Sequence, residues 1–281
     1  NLNLCNETIN KFVSRRVMLE FSRFISSEKN IWDEFVPKTN NGTLFHLRSF
    51  LNYHPKSRFN DHSLIIKKKG NLFSVFPAAE QIIDNEKILV SHPGATVGSF
   101  AVPENLSIAD SLSLVEKLVH YAKDKKFQGI RINLPPSLYQ RRISNYIEYS
   151  FFKLGFSYTK REVTSILFLE DSIDKTKLKF RPSHLRAVRK AMGKNVIVKE
   201  SKNITMFYKI LNNNLKIRHG VNPTHTLEEL KDIFNLFPNR IKLFAAYLEN
   251  TMIAGVVTFQ VNSNVLLAFY ISHDEKYSEL R

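Results

Sequence analysis

The sequence is poor in cysteine: Cys5 is the only one in 281 residues. That excludes a disulfide framework within the chain and fits a reducing, cytoplasmic setting. It contains no uninterrupted apolar stretch of 18 residues, so no membrane-spanning helix is expected. Residues 1–17 hold no apolar core of the kind a secretory signal needs, and Met18 is a candidate start with 1–17 as an upstream extension. There is no zinc-type Cys/His pattern, so no metal site is expected, and no recognisable nucleic-acid-binding module. Acidic residues are outnumbered, 26 Asp and Glu against 41 Lys and Arg, for a formal charge of +15. Such a surface favours anionic partners: nucleotides, phosphates, nucleic acid or a membrane surface.

What is present is mixed α/β. Ile241–Leu248, Met252–Val261 and Val265–Ser272 are apolar runs rich in Val, Ile, Phe and Tyr. Glu249-Asn250 and Asn262-Ser263-Asn264 separate them, which predicts an antiparallel three-strand meander. Two helices precede it. One starts at Asn203, with Ile204, Phe207, Tyr208, Leu211 and Leu215 on one face; the other starts at Thr226 in a capping box with Glu229. A strand over Asn195–Lys199 precedes both. The same order is read earlier in the chain. A strand over Leu19–Ile25 is followed by a helix from Ser27 to Pro37 burying Ile31, Trp32 and Phe35, then a short helix over Leu47–Tyr53. Strands over His62–Lys68, Asn71–Ala79 and Lys87–Ser91 complete that copy.

The first copy continues through a Gly94/Gly98 loop to a helix capped by Ser107 and Asp110, with Ile108, Leu112, Val115, Val119 and Ala122 inward. A strand over Gly129–Leu134, a helix from Ser137 to Gly155 and a strand over Tyr158–Leu169 follow. The reading is two tandem domains, 18–170 and 171–281, the second opening on a basic linker and helix over 171–194. By the repeat, the second domain is expected to be truncated at its C-terminus. Residues 171–202 carry ten Lys or Arg against three Asp or Glu. Extended backbone would put Lys175, Lys177, Lys179 and Arg181 on one side, and a helix would group Arg186, Arg189 and Lys190.

This element order, twice over, resembles the GNAT fold. In tandem it is similar to the double-GNAT group that includes Fem-type peptidoglycan aminoacyltransferases, and to acetyltransferases encoded among bacterial surface-polysaccharide genes. The stretches that carry the likeness are IWDEFVPKTNNGTLFHLRSFLNYHPKSRFNDHSLI from Ile31, LRAVRKAMGKNVIVKES from Leu185 and NLKIRHGVNPTHTLEELKDIFNLFPNRIKLFAAY from Asn214. The resemblance implies acetyl-CoA or another acyl-CoA as donor and an amine as acceptor, small or nucleotide-linked, such as an amino sugar. A Fem-type reading would instead use aminoacyl-tRNA and a peptidoglycan precursor, although no helical coiled-coil insertion is present. A third reading is a basic binding module that kept the fold without catalysis. The family loop that holds CoA pyrophosphate carries glycine, whereas HDEKYSELR after the meander has none.

The resemblance implies His225 as a base and Tyr270 as a donor to the leaving thiolate. It also implies acceptor contacts from Arg218 and His219, and from Tyr53, His54 and Arg58 across an expected interdomain cleft, where Asp61 and His62 join the same polar cluster. Donor contacts would come from Arg186, Arg189, Lys190, Ile271, Ser272 and Arg281. Strand alternation sends Phe269 and Tyr270 to opposite faces. His225 could equally fix its loop, Tyr270 could be core, and the basic stretch could be a solvated face.

Overall fold

The computed structural model describes residues 19–280, so Cys5, Met18 and Arg281 lie outside the described residues. The chain divides into two compact units, residues 1–157 with 261–265, and residues 158–260 with 266–281.

In the first unit, β1 (Leu19–Arg23), β3 (Leu64–Lys68) and β4 (Asn71–Phe76) form an antiparallel sheet in the order β1-β3-β4. A second sheet has the order β2-β5-β6-β7, from β2 (Asn60–Asp61), β5 (Ala78–Ile83), β6 (Glu86–Ser91) and β7 (Gly129–Arg131). The sequence suggests one strand over Asn71–Ala79, but Pro77 divides it. Proline cannot donate to a ladder, so the chain leaves one sheet at Phe76 and enters the other at Ala78. Asp84 and Asn85, both at positive φ, turn the β5–β6 hairpin.

Helix α1 (Lys29–Phe35) and the short α2 (Arg48–Leu51) lie between β1 and β2 in the chain. α1 buries Trp32 but leaves Ile31 exposed, because the helix shows only a narrow stripe inward. Helix α3 (Ile108–Asp124) is capped as expected: Ser107 Oγ accepts the N–H of Asp110. Its buried stripe is Ser111, Leu114, Val115, Leu118 and Ala122, one position away from the expected face at several places; Ile108 is exposed and Leu112 and Val119 are only partly covered. These side chains pack on Leu64, Ile66, Phe76, Ala78 and Leu89 of the sheets. Only α4 (Tyr146–Lys153) forms a full helix in the stretch from Ser137 to Gly155, which begins instead as a single 3-10 turn.

In the second unit the expected strand over Tyr158–Leu169 is absent. The segment has no ladder partner among the described residues, and Val163, Phe168 and Leu169 are strongly exposed. The alternating cations after it do not lie in extended chain either. Ser172 caps α5 (Ile173–Lys177), and Lys175, Lys177 and Lys179 pair locally with Asp171, Asp174 and Glu170. Helix α6 (Pro182–Gly193) follows.

One antiparallel sheet then runs in the order β11-β10-β9-β8, from β8 (Val196–Ser201), β9 (Ile241–Leu248), β10 (Thr251–Gln260) and β11 (Leu266–His273). Between β8 and β9 come α7 (Ile204–His219), capped by Asn203 and closed by left-handed Gly220, and α8 (Leu227–Leu236), opened by the Thr226/Glu229 capping box. Phe207, Ile210 and Leu211 of α7 and Leu230 and Ile233 of α8 are buried with Leu243, Ala245, Val257 and Phe259 of the sheet. Gly255 is required here: a Cβ on it would meet Phe207 at 2.7 Å. The expected repeat is therefore real in topology. Strand, two helices and three antiparallel strands recur, with β8, β9, β10 and β11 standing where β1, β3, the divided β4/β5 and β6 stand in the first unit.

Candidate functional site

In the second unit, His225 and Tyr270 meet. His225 sits in the α7–α8 connection, immediately before the capping Thr226, and is buried. Its Nδ1 lies 2.7 Å from the Tyr270 hydroxyl, its backbone N–H points to the same oxygen at 3.4 Å, and its carbonyl accepts from the Tyr208 hydroxyl at 3.1 Å. Thr224 bonds the phenol as well, and burial raises the Tyr270 pKa. The phenol can donate its proton to Nδ1, which puts the imidazole proton on Nε2, or accept from an Nδ1–H and turn its own proton to Thr224.

Phe269 does not point away from this pair. The β10–β11 register shifts between Val257 and Thr258, leaving an extra residue on β11. The bulge brings both rings to His225, with Phe269 at 5.7 Å and Tyr270 at 5.8 Å between centroids. Simple alternation fails there because a bulge resets the two-residue period. Phe269 also stacks on Phe259 at 4.3 Å.

The remaining expected residues of this unit are dispersed. Arg218, near the end of α7, is engaged by Glu275 at 2.7 Å, and His219, the last residue of that helix, is exposed. Arg186, Arg189 and Lys190 lie exposed on α6. Ile271 is exposed on one face of β11. Ser272, on the opposite face, is buried, and its Oγ has no hydrogen-bond partner among the described residues.

In the first unit, Tyr53, His54 and Arg58 do come together. The Tyr53 and His54 rings lie 3.9 Å apart, His54 Nε2 is 2.9 Å from the Gly94 carbonyl, and Arg58 approaches His54 Nδ1 at 3.4 Å. Donation from Nε2 to the carbonyl leaves Nδ1 to accept from the guanidinium, a neutral ring. His92 stacks on His54 at 6.3 Å, and burial lowers the His92 pKa to about 4. Gly94 lets this loop close, since a Cβ would lie 2.2 Å from His54 Nε2.

Asp61 and His62 do not join that cluster as one group. Asp61 is the partner of Arg48, whose guanidinium also bonds Ser63 and Asn52 at 2.8 Å and lies over the Phe24 ring. Burial opposes ionisation of Asp61, but Arg48 beside it holds the carboxyl below its usual range. His62 bonds Glu80 at 2.7 Å and Tyr121 at 2.8 Å. Arg48, His92, Glu80 and Tyr121 were not foreseen. No spacing links them in the sequence; pairing of distant strands and α3 assembles them.

The glycine loop of the first unit is tied to its own scaffold. Gly98 donates to the Asn133 carbonyl, Asn133 to Ser91 Oγ, Val102 to Asn41 Oδ1, and Asn41 Nδ2 to the Phe100 carbonyl. Two further N–H groups, of Gly94 and Ala95, turn back on His92. These donors are engaged within the unit and are not directed at an anion site. In the second unit, Glu275–Leu280 after β11 is 3-10 and without glycine, and Lys276 donates its N–H to Asp274 Oδ1.

Among the described residues no group of His, Cys, Asp and Glu could hold a metal, and no helix is long and apolar enough to cross a membrane.

A strand, two helices and an antiparallel meander, given twice, define the protein as having a tandem GNAT, Fem-like fold. A solved structure that shares it is FemX: TM-score 0.67 at 13% identity, covering 93% of this chain and 82% of that one. Two further solved structures are similar with much lower scores. TTHA1254, a protein of Thermus thermophilus, gives 0.33 at 15% identity over 54% of this chain and 99% of its own. The aminoglycoside N-acetyltransferase AAC(6')-Iy, solved with CoA, gives 0.32 at 13% identity over 54% and 96%. No family model matches the sequence, and no curated protein matches it.

Proposed function

We propose that this protein is an N-acyltransferase that moves an acyl group from acyl-CoA to an amine, of the kind borne by amino sugars of surface polysaccharides, with the chemistry in the second unit. The His225–Tyr270 pair carries this reading. Attack of a neutral amine on a thioester forms a C–N bond and breaks a C–S bond. The amine sheds one proton and the departing sulfur takes one up. The Tyr270 hydroxyl can give its proton to the sulfur. His225 Nδ1, vacated at that moment, can take the ammonium proton and return it to the tyrosinate. Burial raises the Tyr270 pKa, so the phenol carries its proton at neutral pH.

A second reading, aminoacyl-tRNA as donor, is favoured by α6. Arg186, Arg189 and Lys190 of that helix make no ion pair among the described residues, and the helix contains no acid. A duplex or single-strand phosphate backbone is the partner such a face suits. The test is transfer itself. Purified protein is given radiolabelled acetyl-CoA or a charged tRNA, each with glucosamine-type and peptide amines. Label moving from CoA to an amine is expected. Transfer from the charged tRNA alone selects the second reading, and no transfer from either, with folded protein, overturns both.

A further inference from the structure

Glu229 is the third residue of α8. Its Oε2 accepts the Thr226 N–H at 2.9 Å, and its own N–H donates to Thr226 Oγ1 at 3.2 Å. The cap does not require the charge, because glutamine closes a capping box as glutamate does. Yet Glu229 is only 8% exposed, and a charge withdrawn from water is unfavourable unless its surroundings compensate it. Glu228 beside it shows the ordinary condition, exposed and paired with Lys231 at 3.0 Å. His225 directly precedes Thr226, the N-cap of α8, so its imidazole sits at the positive end of that helix. A positive end drives protons off an imidazole and off a phenol. The titratable groups of this unit that face the His225–Tyr270 pair are Tyr208 of α7, whose hydroxyl reaches the His225 carbonyl, and Glu229 of α8. β9 also packs on α8, but it turns the apolar Ile241 and Leu243 inward, and its Lys242 pairs with Glu200 at 2.9 Å. Burial first, and then the Glu229 charge, holds the proton on Tyr208; both act in the same direction on Tyr270.

We infer that Glu229 is a positioning residue of the proposed transfer site, its buried negative charge holding the exchanging protons on the His225–Tyr270 pair against the positive end of α8. This rests on the transferase reading for the reaction; the buried carboxylate and the pair stand without it. Glu229 takes no proton in the step. One proton leaves the amine for His225 Nδ1, one leaves Tyr270 for the sulfur, and Nδ1 returns one to the tyrosinate. The Glu229 charge favours the imidazolium formed first and, by disfavouring tyrosinate, drives the return. The working pair needs His225 neutral and Tyr270 protonated. Its rate therefore rises with pH as His225 loses a proton and falls at higher pH as Tyr270 loses its own. A nearby negative charge moves both edges to higher pH, so Glu229 sets the window in which the pair works.

The test is Glu229→Gln in the full chain, which keeps the cap and removes the charge. Glu228→Gln makes the same charge change on the exposed side, and Thr226→Ala loosens the cap with the charge retained. Two readouts are taken. One is the pH–rate profile of acyl transfer from acetyl-CoA to glucosamine. The other is the pH titration of the His225 ring followed by NMR, which needs no turnover. In Glu229→Gln both edges of the profile and the NMR midpoint are expected to move to lower pH by about one unit. They should stay in place in Glu228→Gln and in Thr226→Ala, although Thr226→Ala should melt at a lower temperature. An unmoved midpoint or an unmoved profile in Glu229→Gln, or an equal shift in Thr226→Ala, overturns the inference. So does a Glu229→Gln protein that does not fold, because the charge would then serve the fold. The two ideas fail separately. A midpoint that moves in a protein that transfers nothing sinks the transferase reading and leaves the hold of Glu229 on the pair. Transfer whose profile ignores Glu229 sinks the role of Glu229 alone.

Discussion

At the scale of single residues, the second-unit pair makes the sharpest expectation. His225→Ala should lower acyl transfer by about 10²–10⁴, the usual range for loss of a proton-transfer group. His225 is buried rather than on an open loop, so the same change should also cost about 1–2 kcal/mol, from a lost hydrogen bond and the stranded Tyr270 hydroxyl. Tyr270→Phe separates chemistry from packing: it keeps the ring but removes the proton, so transfer should fall while the melting temperature moves little. Equal loss of rate and of folded protein in both variants would reduce the pair to a loop fastener. A pH effect belongs to the first unit. His46, fully buried with Nδ1 2.7 Å from Thr43 Oγ1, and His92 both have pKa values lowered to about 4 by burial. Their folded values lie below the unfolded value near 6.5, so between pH 6.5 and 4 the unfolded chain binds more protons. Stability should therefore fall as pH drops through that window. Thermal melts at about pH 7, 6 and 5 should show it, and His46→Gln should flatten the slope.

At the scale of elements, the junctions carry the risk. The start of α2 has no capping side chain of its own. Asp33 of α1 accepts the N–H groups of Arg48 at 2.6 Å and Ser49 at 3.0 Å from 15 residues away. Asp33→Ala should destabilise the protein by about 1–2 kcal/mol, as loss of a helix cap does, measured by urea unfolding. Gly255→Ala should drive Phe207 off the sheet and cost about 1–3 kcal/mol, the range for overpacking. An unchanged midpoint would mean that α7 slides freely on β10. Element boundaries written in local signals were legible: the Asn203, Thr226 and Ser107 caps and the Glu249-Asn250 turn all stand where expected. Elements decided by partners were not. Tyr158–Leu169 has strand composition but no neighbouring strand to pair with, and Phe269 leaves its alternation only because β10 and β11 slip in register.

At the scale of the whole molecule, charge dominates. With a net charge of +15, donor binding should weaken steadily from about 50 to 300 mM salt, and calorimetry at several salt concentrations reads the slope. Removing the three α6 cations should shallow that slope for a charged tRNA and leave it unaltered for CoA. The amino-acid sequence by itself determined the net charge, the absence of a disulfide framework, the order of strands and helices, and through that order the tandem fold. These depend on composition and on signals a few residues apart. Only the tertiary structure decided which polar groups meet. His225 finds Tyr270 across 45 residues, His62 finds Tyr121 across 59, and the glycine loop of the first unit is closed by Asn41 and Asn133. Hydrogen bonds reach about 3 Å and carry no memory of chain separation, so such meetings follow from sheet register and helix placement, which no local pattern encodes.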